Sequence, residues 1–171
     1  MASFEFLAII LTGIGLTASI VYYASVLRNS NKTREAQLFM QIYSQWNSLE
    51  LQSQYGKIMN IQSETFDDFF DKIQNDVDYR NAVNMVGIFF EGLGVYVHRG
   101  LIDVTMVDDL MSEAIISFWD KSKSLVYETR TRANLPQYGE WLEYLANEVE
   151  KIFKKQHPET EIAGHYYPKP S

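Results

Sequence analysis

The chain has 171 residues, with 15 basic and 22 acidic side chains and a net charge of −7. That balance works against general nucleic-acid binding, which carries a basic footprint. There is no cysteine, which excludes disulfides, thiolate zinc sites, iron–sulfur ligation and cysteine nucleophiles.

From the amino terminus, Phe6–Leu27 runs 22 residues without a charge. As a helix rising about 1.5 Å per residue, it is long enough for a hydrocarbon core of about 30 Å. A signal peptide would need basic residues ahead of a shorter apolar core. Here Glu5 comes before the run, Arg28, Lys32 and Arg34 come after it, and no small-x-small site clearly ends it. A core or amphipathic helix of a larger assembly is the other rival. We read residues 1–28 as an uncleaved single-pass anchor in an inner or plasma membrane. Basic flanks favour the cytoplasmic side, so Arg28, Lys32 and Arg34 set the amino terminus outside and the remainder in the cytoplasm. Tyr22 and Tyr23 sit near the cytoplasmic end, a turn earlier than an interface belt requires. Thr12, Gly15 and Ser19 share one face and suit packing against another membrane helix. In the plainer alternative, the hydroxyls bond their own backbone. No ionisable side chain lies in the span, which argues against an ion path.

Residues 29–156 have the length of one ordinary domain. Phe39, Ile42, Trp46 and Leu49 recur at helical spacing, widened by Ala36 and Tyr43. The pattern allows an unbroken helix to about Met59 or a joint near Asn29–Asn31. Ser63 is set to cap a short helix carrying Phe66, Phe69, Phe70 and Ile73. A longer helix is predicted from about Asp78 to Gly100, with Ala82, Val86, Phe89, Phe90, Leu93 and Val97 inward. His98, Arg99 and Gly100 make its stop signal. The next runs from about Thr105 to Arg130 on Leu110, Ala114, Ile115, Phe118, Leu125 and Val126. The last follows Leu135-Pro136, with Trp141, Leu142, Leu145, Val149, Ile152 and Phe153 inward. Residues 157–171 are proline-spotted and expected to be loose. Nothing alternates as a strand would. The predicted fold is all-α: one amino-terminal transmembrane helix, then a small bundle of about four main helices.

Glu91 is the most unusual residue of the domain, a lone charge in VGIFFEGLGVYV. A charge beside a core stripe needs a partner. Arg80, Arg130 and Arg132 are candidates for an ion pair, and a neighbouring helix end is another. Solvent exposure, or a catalytic or metal-binding carboxylate, are the remaining readings. Gly87, Gly92 and Gly94 surround it without a phosphate-loop spacing. Another helix coming close is the preferred reason for them, a kink the alternative.

His98 reads as a helix-terminal residue, because no Glu-x-x-His motif supports a di-iron bundle. Asp67, Asp68, Asp71, Asp76 and Asp78 lack the calcium-loop pattern and read as a solvated or partner-facing surface. Lys121, Lys123, Arg130 and Arg132 are too few for a nucleic-acid surface but would suit lipid heads or an acidic partner. No nucleophile elbow is present. Neither a cofactor nor a metal is expected.

Arg80, the stretch Phe89–Asp103, the Phe118-Trp119 pair, Arg130 and Tyr138–Ala146, with the anchor, resemble an uncharacterised family of prokaryotic membrane-associated proteins, domain of unknown function 4760. The likeness covers roughly residues 5–155. It implies one membrane helix followed by a small helical domain, and it implies no activity. It draws attention to Glu91 and Arg130 as a structural pair.

The leading expectation is a membrane-anchored interaction or accessory subunit without catalysis of its own. Its partners would be the lipid bilayer and another membrane protein or a second copy, with no nucleic acid. The alternative is a membrane-tethered sensor or regulator holding a small ligand, of unknown identity, between helices near Glu91. A tethered enzyme using that carboxylate and an oligomeric transporter subunit rank below these.

Overall fold

The computed structural model describes residues 2–63 and 65–156, so the expectation for residues 157–171 lies outside the described residues. Six helices and no strand occur among them: α1 (Ala2–Trp46), α2 (Leu49–Met59), α3 (Phe66–Asn75), α4 (Val77–His98), α5 (Val104–Ala133) and α6 (Glu140–Gln156). The all-α reading therefore holds. The chain divides into two compact units, one ending at Leu38 and the other beginning at Phe39. The Phe39–Trp46 part of α1 belongs to the second.

In the first unit, α1 is apolar enough over an 18-residue window to cross a membrane by length and composition, with a mean hydropathy of 2.0 and none of that window buried. Phe6, Ile9, Ile14, Leu16, Ile20 and Leu27 all stand exposed on it.

The second unit is a helical bundle. Helix α6 packs along both α4 and α5, while α2 and α3 lie mainly on α4. The predicted inner faces hold except at Leu110, which is 49% exposed on α5. Val86, Phe90, Leu93, Ile115, Phe118, Leu145 and Val149 are almost wholly buried, each worth about 1.5–3 kcal/mol against exposure. Trp46 is the hub of an aromatic cluster. Its ring lies 5.1 Å from Phe90, 5.2 Å from Tyr55 and 5.6 Å from Phe89, and Phe90 lies 5.4 Å from Phe118.

Local chemistry sets the ends. Asn29–Asn31 are helical, and the break falls instead at Asn47–Ser48. There the Ser48 hydroxyl caps α2 by accepting from the Leu51 N–H. The break turns Leu49 outward, so it is 88% exposed rather than part of the inner stripe. Thr65, not Ser63, caps α3, which puts Asp67 and Asp68 in its first turn, where the helix dipole favours them. Asp76 caps α4 and Asp103 caps α5. Gly100, at φ +65, ends α4 as its sequence position suggests. Its N–H bonds the Val97 carbonyl and the Leu101 N–H bonds the Tyr96 carbonyl, the pair of bonds of a Schellman stop. Helix α5 runs three residues past Arg130 and stops at Asn134 in the left-handed region.

Candidate functional site

Helix α6 starts with an unusual problem. Its first N–H groups need acceptors, but the residue before it is Gly139, which has no side chain to offer. A side chain is not tolerated there, because φ is +69 and a Cβ would lie 2.8 Å from the Val126 Cγ1 methyl. The acceptor comes from α4. Glu91 Oε2 accepts from the Trp141 N–H at 3.1 Å. Gly94, one turn further along α4, makes that reach possible. A Cβ at Gly94 would overlap the Trp141 carbonyl, so only glycine lets the α6 backbone come this close. The expected close approach thus holds at Gly94. It does not hold at Gly87 or Gly92, where a Cβ would meet nothing within 4 Å.

Glu91 therefore acts as the cap of a helix fifty positions away. Burial raises its pKa most. The Trp141 and Leu142 N–H groups lower it, Glu140 raises it and Arg130 lowers it, and the carboxyl ends above its ordinary 4.5. Of the three expected arginine partners, Arg132 pairs with Glu128 and Arg130 forms its ion pair with Glu143, Nη1 to Oε2 at 2.6 Å. Its Nε donates to the Tyr138 carbonyl at 2.7 Å. Its Nη2 is buried and meets no acceptor among the described residues. Arg80 donates from Nη1 to the Gln74 carbonyl at 3.1 Å, where α3 meets α4. No ion pair joins Glu91 to any of the three arginines among the described residues. The α6 N–H groups fill the role expected of them.

Arg130 and Glu143 instead fasten the α5–α6 turn. Tyr127 donates to Glu143 Oε1 at 2.8 Å. Burial pushes the Glu143 carboxyl up, but the bonds from Arg130 and Tyr127 outweigh it and hold the group below its ordinary range. The same bond to Glu143, then burial, raises the Tyr127 phenol.

Beside Glu91 a cleft of about 360 Å³ opens between α4, α5 and the turn before α6. Asn84, Ser122, Gln137 and Tyr138 join Glu91 as its polar lining. Ser122 donates to the Phe118 carbonyl at 2.7 Å, leaving its oxygen as an acceptor. Burial, followed by the charge of Glu91, raises the Tyr138 phenol. Sequence reasoning found Glu91 but missed Tyr138, Ser122 and Glu143. The Gly139-Glu140-Trp141 junction was the available signal, since a helix opening on glycine must be capped from elsewhere.

The other candidates are more widely spread. Thr12, Gly15 and Ser19 lie on α1. Ser19 donates to the Gly15 carbonyl at 2.8 Å and Thr17 to the Gly13 carbonyl at 2.9 Å, the backbone-satisfying alternative. Arg28, Lys32 and Arg34 follow on the same helix and are exposed. His98 packs its ring 4.6 Å from Trp141. The basic residues near the end of α5 are individually engaged. Lys121 donates to the Ile61 carbonyl, Lys123 pairs with Asp120, and Arg132 pairs with Glu128. Burial, then Lys72, lowers the Lys121 pKa.

The family model described as a domain of unknown function (DUF4760) matches residues 5–149, and the chain belongs to that family. No curated protein and no solved structure matches it.

Proposed function

We propose that this protein is a membrane-anchored interaction or accessory subunit, its anchor the apolar part of α1 and its working part the helical unit from Phe39 onward. The observation that carries this is the exposed apolar surface of α1: in water, 18 consecutive residues at mean hydropathy 2.0 with no cover would drive association, whereas lipid satisfies them. Arg28, Lys32 and Arg34 follow the apolar run directly, which supports an outside amino terminus and a cytoplasmic domain. Gly15 shares a face of α1 with Thr12 and Ser19, and these small residues support close approach of a second membrane helix there. Tethering would raise the effective concentration of the domain for a membrane partner. Alkaline carbonate washing and protease digestion of oriented vesicles test the anchor and its direction. The protein is expected to stay in the pellet and to lose its domain only when the cytoplasmic face is open to protease. Release by carbonate would refute the anchor.

A second reading has its own observation. The cleft at Glu91 is of a size that holds a small molecule, which supports a tethered sensor or regulator.

A further inference from the structure

The cleft has a definite chemical character. Its walls are mostly apolar, with Val83, Leu125, Val126 and Leu142 among them. Gly87 lines it, and the place where a side chain would project is open for 4 Å. Glu91 is the single ionisable carboxylate among the described lining residues, and no arginine or lysine joins it there.

That composition discriminates between ligand classes. A helix start draws anions, but at α6 a resident anion, Glu91, already takes the Trp141 N–H. A second anion would face that carboxylate, with Glu140 close enough to add to its repulsion. Arg130 does not line the cleft, and its Nε and Nη1 are committed to Tyr138 and Glu143, so that only its buried Nη2 is left to compensate a second anion. A neutral apolar molecule would fill the walls and leave Glu91 half-desolvated without a counter-charge. A cation on an apolar body satisfies both. The negative field already reaches the neighbouring phenol of Tyr138, whose ionisation Glu91 opposes.

We propose that the cleft binds a small organic amine, its apolar body between α4 and α5 and its ammonium group hydrogen-bonded to Glu91. This rests on the second functional reading, that the cleft holds a ligand.

The test uses the full chain in lipid nanodiscs, with empty nanodiscs as the blank for partitioning. Phenethylamine, 2-phenylethanol and phenylacetate, which carry the same ring with different head groups, are titrated by calorimetry and by saturation-transfer NMR. Phenethylamine is expected to bind about tenfold or more tightly than the alcohol, as a charge-assisted hydrogen bond implies, and phenylacetate least. Glu91→Gln should abolish the preference for the amine. Gly87→Leu should block the amine while leaving Glu91 and its bond to α6 in place, and it remains informative if the Glu91 variant folds poorly. Equal binding of alcohol and amine would overturn the amine assignment while leaving the cleft as a ligand site. Failure of all three probes to bind would overturn both. Amine binding that survives Gly87→Leu would place the site elsewhere and overturn the proposal.

Discussion

Removing the Glu91 carboxylate should loosen the start of α6. In the native protein Oε2 takes the Trp141 N–H, and the Leu142 N–H also favours the charged form. Losing a helix cap costs about 1 kcal/mol, within a range of roughly 0.5–2, and the favourable charge at the helix start adds about 0.3–1. Opposing these is the desolvation that raises the Glu91 pKa, a penalty a neutral residue would not incur. Glu91→Ala should therefore destabilise by about 1–2 kcal/mol, a fall of about 4–8 °C in Tm for a domain of this size. Glu91→Gln keeps an acceptor oxygen and sheds the desolvation, so it should lie within about 1 kcal/mol of the native protein. The pH response separates the two contributions. A carboxyl with a raised folded pKa binds its proton more tightly when folded. Its contribution to stability thus grows as pH falls from neutral towards 4.5. Glu140, Arg130 and Tyr138 are the other charged or titratable groups that face it, and Tyr138 titrates far above this window. Thermal denaturation from pH 7.5 to 4.5 should show that rise in the native protein and a flatter profile in Glu91→Gln. An unchanged Tm in Glu91→Ala, with the pH profile intact, would refute the capping role.

Gly94→Ala should destabilise by about 2 kcal/mol or more, because the methyl overlaps the Trp141 carbonyl and α6 must move. Gly87→Ala, in open space on the same helix, should be neutral or stabilising by up to about 1 kcal/mol, and denaturant titration of the pair checks both. Arg130→Ala breaks a partly buried ion pair and the bond to Tyr138, and should cost about 2 kcal/mol at pH 7. Because Glu143 is held below its ordinary 4.5, the native advantage over that variant should persist down to about that pH and fade as acid protonates Glu143. Replacing Arg28, Lys32 and Arg34 together with Glu should weaken or invert the orientation in the membrane, seen as altered protease protection; unchanged protection would contradict the topology.

What the sequence made legible was periodic. The inner faces of α4, α5 and α6 show in residues three and four apart, and the Gly100 stop shows because glycine after basic residues has a specific backbone use. The break at Asn47–Ser48 was hidden, because Trp46 and Leu49 keep helical spacing across it and nothing local marks Ser48 as a cap rather than an exposed serine. Ser63 and Thr65 compete on equal terms as caps of α3 until the first N–H is placed. The need of Glu91 for a partner was legible from its apolar surroundings. The identity of that partner was not, since it depends on two glycines, Gly94 and Gly139, whose effect appears only when α6 is laid against α4. Glu143 gave no signal because its spacing along α6 matches that of a solvated glutamate, and Arg130 meets it only across the α5–α6 turn.

On the proposed function, this protein works as a subunit bound to another membrane protein or to its own copies. Native mass spectrometry of the particle extracted from its own membranes in mild detergent tests it most directly. A defined complex, either with a second membrane protein or between copies, held together at stoichiometric ratio, is the expected result. A bare monomer at every mild extraction condition would contradict it.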